Sequence, residues 1–361
     1  MKAFRFIAVL LILIFLFSAN AYADDYGATE KIHSLLPKEA RELLEENGLS
    51  VNNGEIAESL DTAGFFSLIA SFFKEGFSAV AIDASRCMAV IILSSLMVSY
   101  CGDNKTSMTV QSVCMASGAL ILTVPIYEMI AAAKEALTAT SVFLGGAVPV
   151  FAALKAVSGK AVSVTGGSAT VLFACQCVSY ICAFVFAPFM NGYLALGICS
   201  AFGGKNAASG IMGAVKKVTN WVLSLLFSVF LFVLSAKGIA GKSADTLALK
   251  TAKFVLGTTL PVVGNALSES AGGVASAISA LSGTAGIYVI IGAVAIMLPL
   301  LTTLFLRRIM LIVLKYLSVL FSLPSFLTLS EALENVTALL MGFCLLSLAL
   351  FIISMGVLIA L

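Results

Sequence analysis

The sequence predicts an all-α protein: a polytopic helical membrane bundle of about six to nine membrane segments, some of them re-entrant or broken, behind a signal peptide and a short exported segment. Three observations predict it. Hydrophobic residues make up 60% of the 361 and charged residues 11%, with a mean hydropathy of +1.07; soluble domains hold about 45–50% apolar and about 25% charged residues. The apolar residues fall in runs of spanning length separated by short polar turns. Acids and bases are segregated: Asp24 to Gly76 holds 11 Asp and Glu against 4 Lys and Arg, and Phe77 to the end holds 8 against 15. An acidic soluble piece thus precedes a basic membrane piece. The bases punctuate apolar runs and form no soluble patch with interleaved aromatics, so the expected surroundings are the lipid bilayer and no nucleic acid.

Met1 to Ala23 carries Lys2 and Arg5, an apolar core from Phe6 to Phe17 and Ala21-Tyr22-Ala23 at a small-x-small cleavage position, the pattern of a signal peptide over residues 1–23. An uncleaved anchor is the alternative. In both cases the charged start stays cytoplasmic and the next segment is exported. Residues 24–78 form that acidic, extracytoplasmic segment. Within it KEARELLEEN (38–47) places Ala40, Leu43 and Leu44 at helical spacing, with Pro37 suited to the first turn and Gly48 to the stop. Such a short helix needs a surface, either a partner's or the bundle's own. His33, the only histidine, has no spaced ligand or nucleophile beside it. FFSLIASFFKEGF (65–77) reads as an interfacial helix.

Residues 79–361 form the polytopic membrane domain. Ala79 to Cys101 is a span with Asp83 and Arg86 three apart on one face, able to pair. Met108 to Ala133 is a second, carrying Pro125 and Glu128. An acid in a span is a functional candidate by its burial cost, although Lys134 nearby also suits a paired or snorkelling residue. Thr138 to Val157 is a third run, interrupted by Gly145 and Pro149. Ser168 to Phe202 is either one long kinked helix around Pro188 or two spans. Residues 203–217 make a basic loop, placed inside, and Val218 to Ala236 is a clean span with Trp221 near one end. Gly286 to Leu306 is a span whose end at Arg307 and Arg308 marks the cytoplasmic side. Ile309 to Leu327 spans or lies shallow, and Val336 to Leu361 is the final span.

The centre of this plan is Lys250 to Gly273, KTAKFVLGTTLPVVGNALSESAGG. Gly257, Pro261 and Gly264 interrupt a helix there, and Lys250, Lys253 and Glu269 bring polar groups to it. Freed backbone groups are tolerated in lipid only where protein or a water-filled cavity satisfies them. The stretch therefore reads as a re-entrant hairpin inside the bundle, or alternatively as a surface loop with an amphipathic helix. Gly145 and Pro149 repeat the spacing of Gly257 and Pro261, so residues 138–236 and 246–361 read as repeat halves, with coincidence as the rival. Gly257, Pro261, Gly264, Gly145 and Pro149 are the candidates for shaping a breach, and Lys250, Lys253 and Glu269 for lining it.

No phosphate-cradling GxxxxGK[ST] loop, HExxH pair or Ser, His and Asp set occurs. No catalytic residue, metal site or cofactor is expected. The eight cysteines lie in or beside apolar runs and suggest small buried hydrophobes, without a disulfide framework. What remains is a scaffold, pore or permease subunit.

Over most of its length, and most specifically at TAKFVLGTTLPVVG, the chain resembles stage III sporulation protein AE of endospore-forming bacteria. The resemblance implies a protein of the mother-cell membrane around the forespore. It would work with the other stage III A proteins, an ATPase among them, and with the stage II Q protein. Together these form a channel or feeding complex needed for late forespore gene activation. An independent secondary transporter for a small solute is the alternative that the residues leave open.

Overall fold

The computed structural model describes residues 26–46, 62–100, 104–157, 173, 177, 180–181, 185–203, 209–238 and 284–360. Its elements are helices: α1 (Tyr26–Ser34), α2 (Lys38–Glu46), α3 (Thr62–Tyr100), α4 (Asn104–Val157), α5 (Ala187–Gly203), α6 (Ser209–Gly238), α7 (Thr284–Leu320) and α8 (Pro324–Ala360). Among the described residues four helices are long and apolar enough to cross a membrane: Gly76–Tyr100, Thr109–Val150, Tyr288–Leu320 and Pro324–Ile352. Ala187–Phe202 is a shorter apolar helix. The expected signal peptide and the Lys250 to Gly273 stretch lie outside the described residues.

Three expected boundaries are absent. The interfacial helix and the first span join as α3, 39 residues long. The runs Met108 to Ala133 and Thr138 to Val157 join as α4, 54 residues that continue through Pro125, Gly145 and Pro149. Their junction, Met129 to Leu137, holds Ala, Lys, Glu, Met and Leu, which propagate a helix better than they end it. Arg307 and Arg308 do not close a span either, because α7 runs on to Leu320.

The α7–α8 hairpin forms the centre, with most of both apolar stretches buried. Its turn is a Schellman motif. Leu323 N–H donates to Ser318 C=O at 2.9 Å, Ser322 N–H donates to Val319 C=O at 3.1 Å, and Ser322 sits at φ 53°. Pro324 then opens α8, where its missing N–H costs nothing. α4 runs antiparallel to α7: Gly118 lies against Phe326 beside the hairpin turn, and Phe143 lies against Gly292 at the other end. α5 crosses α8 closely, since a Cβ on Gly197 would stand 2.7 Å from Ala332 Cβ. Phe186 stacks on Phe343 with ring centres 3.9 Å apart. Small residues at such crossings let helices approach and gain dispersion contacts that lipid does not offer.

α1 and α2 fold back on the bundle. Ile32, Leu36, Ala40 and Leu44, spaced four apart, are all buried, and Leu36 reaches Gly292 of α7 while Leu35 reaches Gly146 of α4. The expected amphipathic helix is therefore present as α2, and its apolar stripe is covered by its own chain.

Candidate functional site

α3 turns Val80, Cys87 and Ile91 into the bundle, and Asp83 lies on the edge of that stripe with its side chain 17% exposed. α7 brings Arg307 to it. Arg307 Nη1 donates to Asp83 Oδ2 at 2.7 Å, and the arginine side chain is only 7% exposed. Arg86, the partner expected from spacing, stands 3.8 Å from Asp83 Oδ1 and is 65% exposed. Sequence spacing found the right acid and the weaker of its two bases. The stronger one is 224 residues away, and the sequence alone places it at a membrane edge. Burying such a pair costs several kcal/mol per ion, which the single short hydrogen bond offsets only in part, and Arg307 Nε has no hydrogen-bond partner among the described residues. An ionisable pair kept within apolar helices at that cost is a functional candidate.

The pair belongs to a layer of charge. Counting 15 residues along α4 from Phe143 and along α7 from Gly292, which touch, reaches Glu128 and Arg307, so these two share a level in the antiparallel packing. Arg86 is within about 4.5 Å of the same level, one helical turn from Asp83. Lys216 Nζ donates to Asn335 Oδ1 at 2.7 Å, and about 12 Å along α7 toward the turn Lys315 lies 3.4 Å from both Glu331 and Glu334. Glu128 is exposed and has no ion pair among the described residues, so of the two positions that the sequence suggests, paired or at an edge, the paired one is not seen there.

A second polar contact joins the N-terminal helices to α7. The Tyr288 hydroxyl donates to His33 Nδ1, and His33 Nε2 donates to Glu45 Oε1 at 3.1 Å, a pattern that fits the neutral Nε2–H tautomer. His33 thus has two distant partners that no local spacing signalled. Arg41 Nη2 donates to the carbonyls of Ser34 and Leu36 at 2.8 and 3.2 Å and holds the α1–α2 turn. Between that turn and α4 lies a groove of about 540 Å³, lined by Leu36, Pro37, Lys134, Glu135, Thr138 and Val142 among others.

Of the predicted breach residues, Gly145 and Pro149 lie in unbroken helix, about 25 and about 32 Å along α4 from the level of Glu128. Pro149 is exposed, and a Cβ on Gly145 would meet nothing within 4 Å among the described residues. Gly257, Pro261, Gly264, Lys250, Lys253 and Glu269 lie outside the described residues. Among the described residues no three His, Cys, Asp or Glu side chains converge as a metal site would require.

The sequence profile of the stage III sporulation protein AE family matches residues 50–361, which leaves α1 and α2 ahead of the matched region. The chain is also similar to stage III sporulation protein AE of Bacillus subtilis (strain 168), 27% identical over 155 residues. That match covers 43% of this chain and 39% of the relative, less than half of either. No solved structure matches.

Proposed function

Since the chain belongs to the stage III sporulation protein AE family, we propose that it is a membrane subunit of the channel or feeding complex between mother cell and forespore, needed for late forespore gene activation. It acts as scaffold or conduit, has no catalytic site of its own, and relies on an ATPase among the other stage III A proteins for energy. The stage II Q protein faces it from the forespore. The family match over residues 50–361 carries this reading, and the buried Asp83–Arg307 pair supports a membrane role for the bundle.

The protein sits in the mother-cell membrane with α1 and α2 extracytoplasmic, behind a signal peptide over residues 1–23. Charge supports that orientation. Lys216, Lys217 and Lys315 lie toward the α7–α8 turn, which the positive-inside rule assigns to the cytoplasm. The acids Glu39, Glu42, Glu45 and Glu46 lie on α2, at the opposite end. Gly257, Pro261 and Gly264 shape the opening, with Lys250, Lys253 and Glu269 lining it.

Complementation tests the assignment. In a spore former lacking this protein, the intact gene restores a late forespore reporter and the tagged chain co-purifies with stage III A proteins. The variant Pro261→Leu with Gly264→Leu loses more of that activity than paired leucine changes in residues 336–361. Solute uptake by liposomes holding this chain alone, with no co-purifying partner, would establish the independent transporter instead.

A further inference from the structure

We propose that the outer sides of α3 and α4 form a surface for a second copy of this chain, in which Arg86 of one copy pairs with Glu128 of the next. The inference does not depend on the sporulation assignment. α3 and α4 are consecutive, packed helices at the periphery of the bundle. Their outer sides are apolar: Ile82, Leu93 and Leu96 on α3 and Leu120, Val124 and Tyr127 on α4 are 49–69% exposed. Acyl chains suit those residues. They do not suit the two charges set among them.

Arg86 lies near the middle of the Gly76–Tyr100 apolar stretch and Glu128 near the middle of Thr109–Val150. Along α4 five apolar residues, Met129 to Ala133, separate Glu128 from Lys134 and Glu135, and along α3 Arg86 is followed by apolar residues and serines as far as Tyr100. Among the described residues Arg86 shares its one acid with another base, and Glu128 has no base. The acid nearest to Arg86 is Asp83, at 3.8 Å, and Asp83 is already bonded to the buried Arg307 at 2.7 Å. Glu128 has no ion pair among the described residues, whereas Lys216 and Lys315 on the same bundle find Asn335, Glu331 and Glu334.

The two exposed charges are opposite in sign, and they share a level to within about one helical turn. Level matters because closed homo-oligomers in a membrane have their symmetry axis along the membrane normal. Rotation about that axis brings together only residues at equal height. A pair satisfied between copies needs this equality, and the packing of α4 on α7 and of α3 on α7 provides it. The apolar residues around the pair then exclude water and lipid from it, as the rim of an interface does.

The test uses two full-length, differently tagged copies expressed together in membranes. One carrying Arg86→Cys and the other Glu128→Cys are expected to cross-link with a short thiol reagent into a product bearing both tags, above the background that the native cysteines give. Charge reversal supplies a second reading. Arg86→Glu or Glu128→Arg alone lowers co-capture of the two tags by about tenfold or more, since like charges then face each other. Both reversals in one chain restore it, which separates a broken interface from a misfolded chain. Co-capture unchanged by single reversals, or left unrestored by the double reversal at normal abundance, overturns the proposal. So does capture of a different membrane protein through Arg86 by a chain that does not capture itself.

Discussion

Asp83 and Arg307 show how far a single side chain can be read without its neighbours. An acid one turn from an arginine suggests a local pair, and that pair exists at 3.8 Å, yet the short bond goes to α7. Removing one partner strands the other as a buried charge, so Asp83→Ala is expected to destabilise the protein by about 3–5 kcal/mol. Asp83→Leu together with Arg307→Met leaves no charge behind and recovers most of that loss. Thermal unfolding in detergent reads the stability. The forespore reporter, silent with the stable double variant, would separate a working ion pair from a merely structural one. Ser322 offers a smaller, opposite change: at φ 53° it occupies the place that glycine takes in a Schellman motif. Ser322→Gly is expected to raise stability by about 0.5–1 kcal/mol in the same assay, because glycine carries no Cβ penalty there.

At the scale of elements, helix existence was legible and helix ends were not. The amphipathic stripe of α2 predicted its buried residues Ala40 and Leu44, because a period of 3.6 is a local property. The length of α4 was hidden by Gly145, Pro149 and the charged residues Glu128 to Glu135. Each suggests a boundary, and none ends a helix whose flanks are strong helix formers and whose inner side is packed. Gly145 and Gly197 then differ by surroundings alone. Gly197→Leu would drive a side chain into Ala332 of α8 and is expected to cost about 1–3 kcal/mol or more. Gly145→Ala faces open space and gains up to about 1 kcal/mol in helix propensity. The two midpoints measured side by side check the crossing of α5 and α8 directly.

For the molecule as a whole, the layer of charge and the α1–α2 hairpin set its polarity. A 42-residue apolar stretch such as Thr109–Val150 is about 63 Å long, roughly twice the hydrocarbon thickness, so part of α4 projects beyond it. The proposed orientation predicts that a cysteine at Glu46 reacts with an impermeant thiol reagent from outside. One at Ser322 should react only after the membrane is opened, and the reverse pattern would invert the topology. Composition and run length by themselves determined that the described elements are helices and that four of them are long and apolar enough to cross a membrane, because apolar excess and period are written residue by residue. Only the tertiary structure decided which base holds Asp83, that Arg307 is buried, that His33 meets Tyr288, and that α1 and α2 lie on the bundle. Those contacts join residues up to 255 positions apart, and their pairing depends on the order and register in which helices pack, which no local spacing encodes.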